Sequence, residues 1–291
     1  MNRSASETVI DPSYEREKLP RLAASSYLNS APLIWSFLHG SRRGTVNLTD
    51  PVPARCAQLL AEDAVEAALI PVIEYQRLPD VCLVPDVCVG SKGNVRSVVL
   101  VTRTRELKEI RSVALDESSR TSAALLKIIF LEFLGLEPAW ATSAPKVELM
   151  LRDNDAALII GDPAMTFARN DLRVVDMAGL WREYTGLGFV FAVWAVRNKN
   201  LSQVAGTDFA AARDEGFQSL EEILSHYEQE IPLARNELEE YLTKDITFHI
   251  DQPMKQGMKL YFELAHKHRL IEQVKELTFV DLTRKRMELG V

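Results

Sequence analysis

One pattern occurs twice in this 291-residue chain and narrows its folding options more than any other feature. Leu59-Leu60-Ala61-Glu62-Asp63-Ala64-Val65-Glu66 leads into Ala67-Ala68-Leu69-Ile70-Pro71, and Leu149-Met150-Leu151-Arg152-Asp153-Asn154-Asp155 leads into Ala156-Ala157-Leu158-Ile159-Ile160-Gly161-Asp162. Each copy reads as the end of an acidic amphipathic helix, then a short strand apolar on both faces, then a Pro or Gly-Asp stop. A strand with no polar face belongs in the middle of a mostly parallel sheet that helices cover on both sides. Two copies predict an α/β protein of two similar lobes. In open α/β sheets ligands sit beyond the carboxyl ends of the strands, so the function is expected in a cleft between the lobes.

Composition narrows the class. With 47% hydrophobic and 26% charged residues the chain can bury an ordinary globular core. A net charge of −7 and a pI near 5.4 exclude a nucleic-acid surface, which needs clustered Lys and Arg; Arg284-Lys285-Arg286 is too short to reverse that balance. Cys56, Cys82 and Cys88 are odd in number and have no metal-binding or disulfide spacing, so buried thiols and no metal are expected. Residues 1–20 are polar, without a signal-peptide core, and no run reaches membrane-spanning length. The expectation is a cytoplasmic protein with a polar amino-terminal arm at 1–20 and no membrane partner. No sequence feature specifies an oligomeric state.

Strands are expected near 21–26, 45–49, 67–70, 82–85 and 95–102 in a first round, and near 113–116, 138–142, 156–160, 173–176 and 189–196 in a second. Helices are expected at 32–38, 53–63, 123–134 (stopped by Gly135) and 145–151. Beyond Asn198 the chain becomes Glu-rich and helical, which predicts padding for a lobe rather than chemistry. Long strands at 95–103 and 189–197 bracket the second round. They predict a discontinuous first lobe, 21–101 plus 197–291, with a second lobe inserted at 102–196.

Ser118-Ser119-Arg120-Thr121-Ser122 is the sharpest local signal. It lies between a buried strand and a helix, where free N–H groups, hydroxyls and the positive helix end favour an anion such as a carboxylate. A plain N-cap needs only one such residue, so Ser119, Arg120, Thr121 and Ser122 are expected to bind ligand. Tyr27-Leu28-Asn29-Ser30 leaves the first strand at its carboxyl end; Asn29 reads equally as a cleft residue, donating and accepting, or as a helix cap. Gly161-Asp162 and Thr185-Gly186-Leu187-Gly188 carry glycines that allow close backbone approach to a ligand, or plain turns. Ser97 is a lone hydroxyl in a Val-rich strand, and Glu74 reads as a surface carboxylate. No Gly-x-Ser-x-Gly, P-loop, His-Glu-x-x-His or dinucleotide glycine pattern occurs. The five histidines, His39, His226, His249, His266 and His268, lie at the end of the first helix or in the helical carboxyl-terminal part, which disfavours His-driven hydrolysis.

Taken in order, Tyr27-Leu28-Asn29-Ser30-Ala31-Pro32-Leu33, the stretch from Asp63 through Ile73-Glu74-Tyr75, Val95-Arg96-Ser97-Val98, Ala114-Leu115-Asp116 to Ser122, Ala156 to Asp162, and Trp181 to Val196 resemble the chorismate dehydratases of futalosine-route menaquinone biosynthesis. The resemblance covers residues 21–197, with weaker similarity through 241–271. It implies the two-lobed type II periplasmic-binding-protein fold and a cofactor-free lyase that dehydrates chorismate to 3-(1-carboxyvinyloxy)benzoate. It also implies active roles for Asn29 and Ser97, and substrate contacts from Tyr27, Ser119, Arg120, Thr121, Ser122, Gly161, Asp162, Thr185 and Gly186. A sister enzyme of that fold carries Cys-Pro-Asn-Asp in place of Leu-Asn-Ser; this chain does not. Gly188 stands where the family commonly has Pro, and Val72 where it often has Ser. The rival class is a two-lobed receptor that binds a small carboxylate without chemistry.

Overall fold

The computed structural model describes residues 19–280. The expected arm at 1–20, save its last two residues, and the basic Arg284-Lys285-Arg286 lie outside them. In chain order the strands among the described residues are β1 (Arg21–Ala23), β2 (Asn47–Thr49), β3 (Ala67–Pro71), β4 (Val81–Ser91), β5 (Val98–Thr102), β6 (Ser112–Asp116), β7 (Ala139–Ser143), β8 (Ala156–Ile160), β9 (Arg173–Asp176) and β10 (Phe189–Arg197). They form two five-stranded sheets, ordered β2-β1-β3-β10-β4 and β7-β6-β8-β5-β9. The repeat is therefore a repeat of topology: β3 and β8 hold the same third place, and every residue of both is buried.

Period-2 alternation explains why these strands have no polar face. Ala156, Leu158 and Ile160 of β8 join the core shared with the first lobe, while Ala157 and Ile159 join a second cluster with Met150 and Leu151 of helix Val147–Asp153. Each sheet is mixed rather than mostly parallel. β1 pairs parallel with β2 and β3, and β6 with β7 and β8, but β10 and β5 run antiparallel to both of their neighbours.

Those antiparallel strands move the expected lobe boundaries. β5 was assigned by sequence to the first lobe and β10 to the second; the pairing places β5 in the second sheet, beside β8 and β9, and β10 in the first, between β3 and β4. The chain thus crosses at 92–97 and returns through 177–188, not at 101/102 and 196/197. Local pattern could not show this, because each exchanged strand finds its partners in the other round of the sequence.

One carboxylate fastens both crossings. Asp176 Oδ2 accepts the N–H groups of Val95 (2.8 Å) and Arg96 (2.7 Å), while its Oδ1 accepts from Gly179 at the start of helix Met177–Thr185 (2.9 Å). Arg96 is held at φ 55, a left-handed conformation that a non-glycine residue keeps only when its surroundings enforce it.

The carboxyl-terminal helices pack on the first lobe. Helix Phe209–Gln218 lies so close to helix Ala31–Leu38 that a Cβ on Gly216 would sit 2.0 Å from the Pro32 carbonyl oxygen. Glu215 accepts bonds from Ser36 Oγ (2.7 Å), Ser41 Oγ (2.6 Å) and Ser41 N (2.5 Å), which hold its carboxyl down at about 2. The three cysteines are free and buried, and burial pushes the Cys56 thiol up to about 12. Among the described residues no helix is long and apolar enough to cross a membrane.

Replacing Asp176 with Ala leaves two N–H groups of the crossing and one of a helix start without their acceptor. Asp176→Ala is expected to cost about 2–4 kcal/mol of stability in urea denaturation, and Asp176→Asn clearly less, since it keeps an acceptor oxygen.

Candidate functional site in the interlobe cleft

The carboxyl ends of β1, β3, β6 and β8 converge on one cavity that is partly open to solvent. Its walls come from both lobes: Tyr27, Asn29 and Ser30 after β1, Pro71 ending β3, Ser97 in the first crossing, Ser118 through Ser122 after β6, and Gly161 after β8. Val89, Val95 and Phe191 give it an apolar floor.

Asn29 sits in the single helical turn Leu28–Ser30. It does not cap: helix Ala31–Leu38 starts without a side-chain cap bond, and Asn29 Oδ1 instead accepts from Ser30 Oγ at 3.1 Å. Ser97 is fully buried beneath the cavity wall, and its Oγ accepts a 2.6 Å bond from the phenol of Tyr241. Tyr241 was missed, because its segment reads from sequence as helical padding. Its only early sign was its place in the weaker part of the family similarity.

The hydroxyl cluster divides into distinct tasks. Ser118 binds back to Asp116 Oδ1 through its N–H (2.9 Å) and Oγ (2.6 Å), and Ile160 N donates to Asp116 Oδ2 (3.3 Å). Burial raises the Asp116 carboxyl, and these bonds oppose it. Thr121 Oγ1 accepts from Ile73 N of the other lobe (3.3 Å), and Thr121 O from the Tyr261 phenol (3.0 Å). Ser119 Oγ is buried, lines the cavity and has no hydrogen-bond partner among the described residues, a rare condition that a ligand oxygen would relieve. No side chain of the cluster caps helix Thr121–Ile128, so its first N–H groups have no side-chain acceptor. Arg120 lines the mouth and is exposed.

Gly161 and Asp162 close the cleft rather than contact its contents equally. Gly161 has φ +66, and a Cβ there would lie 2.8 Å from the Tyr27 ring. It lines the cavity, but Asp162 does not: its carboxylate accepts Leu28 N–H across the cleft at 3.2 Å. Burial is the main cause that pushes Asp162 up to about 6. Thr185 and Gly186, expected at the ligand, are elsewhere. Thr185 Oγ1 donates to Trp181 O (2.8 Å), and Gly186 at φ 72 caps helix Met177–Thr185 through Arg182 O (2.7 Å). The same left-handed glycine serves a helix end or a ligand approach, and here the helix end claims it. Of the family departures, Val72 is wholly buried and presents no face to the cavity, and Gly188 packs against Met254 and Gly257. Glu74 pairs with Arg77 at 2.6 Å.

A two-lobed α/β protein of the periplasmic-binding-protein type, with a hydroxyl-rich cleft at its strand ends, is the class these features define. Solved structures agree on the fold: a protein of Archaeoglobus fulgidus superposes with TM-score 0.72 at 15% identity, covering 87% of this chain and 99% of that one. The aliphatic sulphonate binding protein of Escherichia coli gives 0.58 at 14%, over 91% and 94%. The family model described as menaquinone biosynthesis matches residues 20–267, and the chain belongs to that family. It is 31% identical over 261 residues to the chorismate dehydratase of Thermus thermophilus, covering 83% of this chain and 93% of that protein.

Two outcomes follow from the closed geometry. Gly161→Ala must displace Tyr27 and strain the backbone; a loss of about 1–3 kcal/mol is expected in thermal unfolding, with weaker ligand binding. Asp162 has a folded value of about 6 against an ordinary 3.8, so the folded state holds the extra proton between them. Stability is expected to fall as pH rises from about 4 to about 6, and Asp162→Asn to flatten that slope in urea denaturation series.

Proposed function

We propose that this protein is a chorismate dehydratase, a cytoplasmic, cofactor-independent carbon–oxygen lyase that converts chorismate to 3-(1-carboxyvinyloxy)benzoate and water at the entry to the futalosine route. The similarity to the Thermus thermophilus enzyme supports the substrate. The observation that carries the reading is the convergence of Asn29 and Ser97 with the uncapped, serine-lined helix start on one interlobe cavity.

Chorismate is a dianion with a carboxylate at each end, and the cleft offers it donors from both lobes. Ser119, Arg120, Thr121, Ser122 and the first N–H groups of helix Thr121–Ile128 bind carboxylate; Tyr27 and Gly161 shape the wall. Removing the ring proton beside the enol ether sends electrons through the diene toward the ring carboxylate. Fixed donors at that carboxylate stabilise the developing charge. Expulsion of the adjacent hydroxyl then completes an aromatic ring, and the hydroxide leaves as water with the proton removed.

Among the described residues lining the cavity there is no carboxylate and no imidazole. That supports the substrate's own enolpyruvyl carboxylate as the proton acceptor, with Asn29 and Ser97 orienting the ring and assisting departure of the hydroxyl. The chemistry asks for placed donors rather than a strong protein base.

Incubation with chorismate followed by mass detection is expected to show the dehydrated product. Asn29→Ala and Ser97→Ala are each expected to lower kcat about 100-fold or more while the fold is kept. Chorismate bound but unchanged would identify a receptor instead, and full turnover by either variant would remove the role assigned to that residue.

A further inference from the structure

Tyr241 stands behind the cavity wall rather than on it. It is 1% exposed, in the wide-turn segment Tyr241–Asp245 that ends helix Arg235–Glu240. That segment touches the first crossing twice: Asp245 pairs with Arg96, and the Tyr241 phenol donates to Ser97 Oγ at 2.6 Å. The Asn29 side chain lies near the same phenol and offsets part of the rise that burial causes.

The direction of the phenol's bond matters: Tyr241 donates and Ser97 Oγ accepts. Once Tyr241 occupies an acceptor position on Ser97 Oγ, the single Ser97 hydrogen has to point away from the phenol, toward the cavity that Ser97 lines. We infer that Tyr241 is a positioning residue that fixes Ser97 as a hydrogen-bond donor to a substrate oxygen; this deepens the dehydratase reading and rests on it. Successive donors along such a chain polarise one another, so the last hydroxyl donates more strongly than an isolated serine. Burial raises the phenol well above its ordinary value, so Tyr241 keeps the proton it has to donate.

Tyr241→Phe tests this on the full-length protein, because it keeps the buried ring and removes only the hydroxyl. With chorismate as substrate, kcat is expected to fall about 10- to 100-fold with KM within about twofold, and with the unfolding midpoint close to that of the unmodified protein. In a Ser97→Ala background the same change is expected to lower kcat by less than about twofold, because Tyr241 acts through Ser97. A Tyr241→Phe variant that keeps more than half of the kcat, or whose loss multiplies in full with that of Ser97→Ala, overturns the inference and leaves the dehydratase reading standing. An unmodified protein that leaves chorismate unchanged overturns both. If Tyr241→Phe does not fold, difluorotyrosine at position 241 keeps ring and hydroxyl while making the phenol more acidic; kcat is expected to change about threefold or more, and an unchanged kcat overturns the inference.

Discussion

Each lobe is completed by the strand that follows a crossing, β5 after 92–97 and β10 after 177–188, and these two anchored crossings govern the rest of the molecule. β5 and β10 are fourth of five in their sheets, hydrogen-bonded on both sides, so each crossing ends in a sheet interior. The chain passes between the lobes at 92–97 and 177–188. There Asp176 gathers three N–H groups and holds Arg96 in a conformation it would not otherwise adopt. Ser97 lies next in sequence, so its hydroxyl is held in the first crossing itself.

The cleft is suited to an anion although the protein as a whole is acidic. Three carboxylates lie around it, and each is turned toward backbone N–H groups: Asp116 to Ser118 and Ile160, Asp162 to Leu28, Asp176 to the crossing. Their charge is spent on turns and lobe contacts, and the hydroxyls and helix N–H groups remain for the cavity. This division gives meaning to Ser119, whose buried oxygen has no partner among the described residues. In a protein interior such a group costs stability unless something else uses it.

The parts of this arrangement that can be read from sequence are those set by short-range pattern. The all-apolar runs at β3 and β8, the Gly135 stop and the hydroxyl cluster before helix Thr121–Ile128 each announce themselves within a few residues. The lobe boundaries do not, because β5 and β10 look like ordinary buried strands until their partners are known. Thr185-Gly186 misled because a glycine with positive φ carries the same signature at a helix end as at a ligand. Tyr241 was invisible for a different reason. It meets Ser97 across 144 residues of chain, and nothing in its surroundings distinguishes it from other aromatic residues that fill a helical core.

The lobe-to-lobe bonds, Leu28 to Asp162 and Ile73 to Thr121, together with the Tyr27 ring seated on Gly161, tie the two lobes around a cavity that stays partly open to solvent. Any parting of these contacts is a unimolecular event, which no increase in ligand concentration can hasten. While they hold, much of the cavity wall is turned away from bulk water, the condition under which a few neutral donors act most strongly.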